Sequence, residues 1–244
     1  MYSLFCDPDC ITNASSASSV RIWDLPTRVF HIALIACVIG LVITGEWGGE
    51  AMKFHFYCGY SVLTLVLFRV VWGFVGGHWS RFAQFIPTPA QLRNYLSSLP
   101  QRQAPVTAGH NPLGALSVVA MLLVLLAQVL SGFLSDDEIS VSGPWTAWAP
   151  SVWIEWATAY HTEIGKGVLI GLVLLHVAAV LVHKYIKGDD LIRPMVSGDK
   201  NLPDDMAAHT TASLDTWRTR TTALCVLAVC AYAVYRLVHL SVSV

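Results

Sequence analysis

Charge is scarce in this sequence. Asp, Glu, Lys and Arg make up 13% of its 244 residues and hydrophobic residues 55%, against about 25% charged residues in a typical soluble domain. That deficit excludes an ordinary water-soluble fold, and a mean hydropathy of +0.55 points to a chain solvated by lipid. Basic runs are missing too. With a net charge of -1 and no nucleic-acid-binding motif, the chain offers nothing to a polyphosphate partner, so nucleic acid is not expected. The first twenty residues, MYSLFCDPDCITNASSASSV, lack the basic start and apolar core of a cleaved signal peptide and read as a polar tail. No internal repeat is visible.

What is present is a series of long apolar runs. Five are long enough to cross a bilayer, at residues 29–45, 54–76, 112–134, 157–183 and 222–242. The first is short, near the lower limit for a crossing. The fourth has no proline, and Gly165, Gly167 and Gly171 within it are tolerable in a membrane helix. The expected fold is an all-α integral membrane protein. It comprises a polar tail (1–20), a four-helix transmembrane bundle (21–200), and a linker with a fifth C-terminal transmembrane helix (201–244).

Orientation follows from the basic residues in the connections. Arg21 and Arg28 precede the first span; Arg81, Arg93 and Arg102 follow the second; Lys184, Lys187, Arg193, Lys200, Arg218 and Arg220 follow the fourth. All lie on one side of the predicted topology, and the opposite loops hold Lys53 and the acidic stretch SDDEISVSGPW. The positive-inside rule makes the N-terminus cytoplasmic. Trp145, Trp148, Trp153 and Trp156 then crowd the outer interface, where amphipathic rings settle.

Histidines stand on these spans at two depths. His31 lies near the cytoplasmic end of the first and His55 near the outer end of the second. On the fourth, His161 and His176 are separated by about 22 Å of helix and roughly 60° of rotation, so both can face one bundle interior. The pairs are His55 with His161 outside and His31 with His176 inside. Two imidazoles facing each other across a bundle are what a bis-histidine b haem needs, and two depths imply two haem b groups. Gly59 and Gly165, four residues after His55 and His161, are expected to let a porphyrin approach. No CxxCH motif is present for covalent attachment. A metal or proton transporter is the competing use of such histidines, but the spans carrying them contain almost no Asp or Glu.

Four segments in order carry a family resemblance: RIWDLPTRVFH (21–31), FHFYCGYSVLTLVLFRVVWGFVGGHWSRFAQF (54–85), GHNPLGALS (109–117) and LLHVAAVLVHKYIKGDDLIRPMVSG (174–198). Together they resemble the bacterial cytochrome b561 family, in particular the branch with the b-type cytochrome subunits of nickel–iron hydrogenases. The resemblance implies four core helices holding two b haems. Ligands fall on the first helix, the second and twice on the fourth, matching His31, His55, His161 and His176 as ligands to haem iron. It implies electron relay in a bacterial cytoplasmic membrane between quinone and a periplasmic redox partner, either a cytochrome c or a hydrogenase-type subunit. Stand-alone superoxide oxidation coupled to quinone is the alternative activity. In one respect the sequence departs: the fourth-helix ligands are usually fourteen residues apart, and here they are fifteen apart, with Thr162 at the expected place. One extra residue turns a helix by about 100°, so a local adjustment such as a π-bulge is expected.

The remaining polar residues sort around that frame. Arg69, inside the second span, either pairs with an inner haem propionate or snorkels to the lipid interface; Arg28 has the same two options. His183, seven residues past His176, ranks second as an inner ligand. With Lys184, Tyr185 and Asp189 it also offers the donors and acceptors a quinone site needs. His78 and His110 are expected to be solvated or to cap structure in the connecting loop. Cys6 and Cys10 form a CxxxC pair of low specificity.

Overall fold

The computed structural model describes residues 17–99, 106–139 and 141–239; Cys6, Cys10 and most of the polar tail lie outside the described residues. Strand β1 (Ala17–Arg21) leads into α1 (Leu25–Trp47). Asp24 caps α1, accepting the Thr27 N–H at 2.8 Å, and Pro26 sits in the first turn, where its missing N–H costs nothing. Because the cap lies upstream of the apolar run, the first crossing is a full 23-residue helix rather than the short span its hydropathy predicts. Gly48, at φ 62°, ends it.

Helix α2 (Met52–Val75) returns across the membrane and is followed by the short α3 (Phe82–Phe85) and by α4 (Pro89–Ser98), which opens with a capping box of Thr88 and Gln91. Next comes α5 (Pro112–Leu134), with Asn111 accepting the Gly114 N–H at 2.7 Å. The fourth crossing is continuous but not uniform. Helix α6 (Ser151–Ala159) passes through a π-turn (Tyr160–Gly165) into α7 (Lys166–Tyr185). The adjustment expected from the fifteen-residue histidine spacing is therefore there, and it contains His161. Two short helices, α8 (Ile192–Ser197) and α9 (Asp204–His209), flank strand β2 (Asp199–Pro203), and α10 (Trp217–His239) is the fifth crossing.

Helix α2 is the hub. It packs on α1, α5 and α10, while α7 packs on α5. Its Val62, Leu63, Val66, Phe68 and Trp72 meet Leu122, Leu125, Val129 and Phe133 of α5 and Ala223, Cys230 and Val234 of α10 in one core. Helix α10 is thus packed into the bundle. Within their apolar windows 39% of α2 is buried, but only 6% of α1 and 11% of the fourth crossing, so the helices carrying His31 and His176 have most of their surface free for lipid or a cofactor.

At the bundle end that carries the chain's first helix cap, an unpredicted two-stranded sheet closes the structure. β1 pairs antiparallel with β2, placing Arg21 opposite Asp199, whose carboxylate it bonds at 2.7 Å. Arg21 also reaches Asp215 at 3.2 Å, and Asp215 pairs with Arg220 of α10 at 3.0 Å. The Arg21 guanidinium holds the Asp199 carboxyl below its usual range, and Arg220 does the same to Asp215. Ile22, Trp23, Ala108 and Leu202 bury one another beneath the sheet.

Asp24 is the tie between this end and the hub. It is fully buried, and its second oxygen accepts from Trp72 Nε1 (3.3 Å), Gly77 N (3.2 Å) and Ser80 Oγ (3.3 Å). One carboxylate so joins the start of α1, the end of α2 and the loop beyond. Leaving several buried donors unmet costs about 1–3 kcal/mol each, beyond the roughly 1 kcal/mol of a lost cap. Asp24→Ala is expected to destabilise the detergent-solubilised protein by about 3–5 kcal/mol, read as a lower thermal midpoint, with Asp24→Asn intermediate because it keeps one acceptor oxygen.

Candidate functional site

The histidines on α2 and on the π-turn come together. The rings of His55 and His161 have centroids 6.1 Å apart and planes at 80°. The Nδ1 of His55 lies 3.1 Å from the Leu41 carbonyl of α1, and the Nδ1 of His161 lies 2.8 Å from the Gln128 carbonyl of α5. A carbonyl only accepts, so each Nδ1 carries the proton and each Nε2 keeps its lone pair. That is the tautomer of a metal-binding imidazole, and a hydrogen bond on the far nitrogen is what fixes such a ring.

The two seats are built alike. His55 lies against LVITG (41–45) and His161 against QVLSG (128–132). In each the first residue supplies the carbonyl, and the hydroxyl three residues later, Thr44 or Ser131, stands 3.3 Å from the same Nδ1. The glycine four residues later lies beneath the ring. A Cβ on Gly45 would meet His55 Cε1 at 3.2 Å, and one on Gly132 would meet His161 Cε1 at 2.7 Å. A short internal repeat therefore exists, although the sequence on its own shows none.

Two imidazoles on opposite sides of one metal ion, with bonds of about 2.0 Å, place their ring centroids roughly 6 Å apart. The 6.1 Å spacing, the free Nε2 atoms and the glycine seats fit a pair, His55 and His161, that would hold a haem iron. Gly59 fits as well, since a Cβ there would find only Leu41 Cδ2, at 4.0 Å. Gly165 does not serve as expected. Its bare Cα faces Gln128 Oε1 and Tyr160, so it is a helix-packing glycine that opens no room for a porphyrin.

At the opposite end His31 and His176 lie close enough to feel each other's charge, and neither has a hydrogen bond to the protein among the described residues. His110, expected to be solvated or capping, instead belongs to this end. Its ring packs 4.7 Å from both Trp23 and Phe85, and its Nδ1 is enclosed. Burial, with Arg69, His176 and His31 adding like charge, pushes its pKa down to about 3, so the ring is neutral. Arg69 does not snorkel. It is 3% exposed, donates to the Ser80 carbonyl at 3.0 Å and lies over the rings of Phe82 and Phe85.

His183 has both nitrogens engaged within the protein. Its Nδ1 donates to the Ala179 carbonyl at 3.0 Å, and its Nε2 faces Tyr95 Oη and Asn111 Nδ2, each at 3.2 Å. The side chains grouped with it in the sequence disperse: Lys184 pairs with Asp190, Asp189 with the buried Lys200 at 2.8 Å, and Tyr185 is exposed. Sequence reasoning missed Tyr95 and Asn111, which come from other elements, and the whole α5 seat. The one signal available was Gln128, a lone amide in an apolar span. Among the described residues no three His, Cys, Asp or Glu side chains are placed to hold a bare metal ion.

Residues 22–198 match the model of the prokaryotic cytochrome b561 family. The chain belongs to that family. Among similar curated proteins are the probable Ni/Fe-hydrogenase B-type cytochrome subunits of Bradyrhizobium diazoefficiens and Azotobacter chroococcum. The first is 24% identical over 81% of this chain and 95% of its own length, the second 26% over 77% and 91%. The probable Ni/Fe-hydrogenase 1 B-type cytochrome subunit of Escherichia coli K12 is 24% identical over 72% and 88%. No solved structure matches. As a prokaryotic cytochrome b561, the chain is a multi-pass bacterial membrane protein of electron transfer whose cofactor is haem b.

The glycine seats separate tolerated from untolerated positions in this cytochrome b. Gly132→Ala is expected to push the His161 ring off its carbonyl and lower bound haem, read as the Soret-to-protein absorbance ratio. Gly167→Ala, with nothing within 4 Å of the added Cβ, is expected to leave that ratio unchanged.

Proposed function

We propose that this chain holds two b haems, one between His55 and His161 and one between His31 and His176, and relays electrons between a periplasmic redox protein and quinone. Haem b would supply the one-electron couple through which electrons pass singly between the partner and quinone. The observation that carries the reading is the 6.1 Å, Nδ1-anchored pairing of His55 and His161. His31 of the first crossing and His176 of the fourth would form the second pair, at the other depth. The polypeptide anchors the His55 and His161 rings through Nδ1 and leaves each Nε2 free, so little reorganisation would accompany a change in the charge of an iron held there.

Sidedness rests on the basic residues. Arg21, Arg28, Arg81, Arg93, Lys184, Lys187, Arg193 and Lys200 gather at the His31–His176 end, which is therefore the cytoplasmic one. Quinone exchanges there, near Tyr95, Asn111 and His183. At the periplasmic end the 135–145 loop carries Asp136, Asp137 and Glu138 beside an open depression formed by Gly49, Glu50, Lys53, Phe56, Val141 and Ser142. Trp148, Trp153 and Trp156 are exposed close by, while Trp145 is packed on Phe133. Relatives named as hydrogenase subunits favour a hydrogenase-type partner over a cytochrome c.

Ligand replacement tests the haem assignment. Each of His31→Ala, His55→Ala, His161→Ala and His176→Ala is expected to lose about one of two haems per chain by pyridine haemochrome assay. A parent with a single haem, or a variant that keeps both, overturns it. Docking is tested by salt. Asp137 Oδ1 accepts the Ile139 and Val141 N–H groups and Asp136 Oδ1 that of Glu138, so these acids also shape the loop. Asn keeps an acceptor oxygen. The Asp136→Asn, Asp137→Asn, Glu138→Gln variant is thus expected to keep the loop but slow electron exchange with a basic partner several-fold at low salt and to flatten its ionic-strength dependence.

A further inference from the structure

Gln128 touches His161 twice. Its backbone carbonyl accepts the ring Nδ1–H at 2.8 Å, and its side-chain Nε2–H donates to the backbone carbonyl of His161 at 2.7 Å. One residue of α5 so holds both the ring and the main chain of one histidine. In the other seat the residue at the same register is Leu41, with only its carbonyl to offer.

The seats differ in one more respect. His55 stands in the regular helix α2, whereas His161 stands in the π-turn Tyr160–Gly165. A π-turn houses one residue more than an α-turn and is uncommon, so something must favour it. An amide within a membrane helix is costly unless its groups are bonded. Here the amide N–H bonds a carbonyl of the π-turn itself, while the Oε1 is buried without a hydrogen-bond partner. Space for it comes from Gly165, where any Cβ would collide with Gln128 Oε1 and crowd Tyr160. The polar side chain occurs at the seat whose ligand helix is irregular and is absent from the seat whose ligand helix is regular.

We infer that Gln128 is a positioning residue: by holding the His161 carbonyl it stabilises the π-turn, and the π-turn brings His161 round to face His55 despite the fifteen-residue separation from His176. The inference rests on the reading of His55 and His161 as axial ligands of one haem. In an unbroken α-helix the extra residue would swing His161 away by about 100°.

The two roles, holding the turn and merely filling space, separate by epistasis. Thr162 is exposed within the π-turn, and deleting it restores a fourteen-residue separation that a regular helix satisfies. Four proteins are compared with the parent: Gln128→Leu, Gln128→Met, the Thr162 deletion, and the deletion combined with Gln128→Leu. Haem per chain and the low-spin ferric EPR signal of the outer haem are the readouts. That signal should be strongly anisotropic in the parent, because the imidazole planes are near perpendicular.

Gln128→Leu is expected to lose most of the outer haem or to change its EPR signal while sparing the inner one. Gln128→Met, close in size and without a donor, is expected to behave the same way. The Thr162 deletion is expected to keep both haems, and adding Gln128→Leu to it to cost little. Parental haem content and EPR in both Gln128 variants overturn the inference. So does an equal loss from Gln128→Leu with and without Thr162, which would make Gln128 a packing residue. A His161→Ala variant that keeps both haems defeats the ligand reading itself, a result distinct from either.

Discussion

An imidazole in the apolar interior of a bundle has one N–H that must find an acceptor, and only a lone pair on its other nitrogen is useful to a metal. In this protein the acceptor is a main-chain carbonyl of the neighbouring helix, with its second lone pair still available beside the helix's own hydrogen bond. A carbonyl on a helix surface is normally covered by the side chain one turn along. Glycine at that place uncovers it, as Gly45 does for Leu41 and Gly132 for Gln128. The bond then decides much else. It fixes the tautomer, holds the Nδ1–Cε1 edge of each ring against a helix backbone, and sets which helices approach: α2 on α1, and the π-turn on α5. Two such rings meeting at 6.1 Å follow from helix spacing and from where the glycines stand.

The opposite end is organised by different forces. His31 and His176 have no carbonyl seat, and order there comes from enclosure. Asp24 gathers four donors, Arg69 stands beside the rings of Phe82 and Phe85, and the β1–β2 sheet lies across the helix ends. His110 is drawn in with them and kept neutral by burial. A carboxylate as deeply buried as Asp24 is tolerable because both of its oxygens accept hydrogen bonds and the Arg69 guanidinium lies near.

Much of this was legible from residue spacing. Apolar length gave the five crossings, and histidine depth gave the pairing of His55 with His161. The count of fifteen residues between His161 and His176 required a helix irregularity, which the π-turn provides. What stayed hidden depends on contacts between distant segments. LVITG and QVLSG are unremarkable strings until two histidines are seen to rest on them. His110 reads as a loop residue because nothing local reports that Trp23 and Phe85 close over it. The β1–β2 pairing joins segments about 180 residues apart, and five-residue polar strands give no periodic signal strong enough to announce themselves. Apolar length also undercounted the first crossing, since the Asp24 cap extends α1 through Thr27 and Arg28, residues that hydropathy rejects.

The two ends also differ in charge, which bears on the proposed relay. Near His55 and His161 the cations are matched: Lys166 bonds Glu46 at 2.9 Å and Lys53 approaches Glu50 at 3.5 Å, and the acidic loop adds further negative charge. Near His31 and His176 stand Arg28 and Arg69; Asp24 is buried close to Arg69, and Asp199 and Asp215, paired with Arg21 and Arg220, lie within the field of Arg28. In a low-dielectric interior an added electron is more stable beside excess positive charge, and the effect is much larger than it would be in water. Charge distribution alone therefore favours the electron at the His31–His176 end, the cytoplasmic end in the proposed topology. Under the proposed function, passage inward from a periplasmic donor to quinone would be the downhill direction for the polypeptide's field, and outward passage would have to draw its drive from the partners' own potentials.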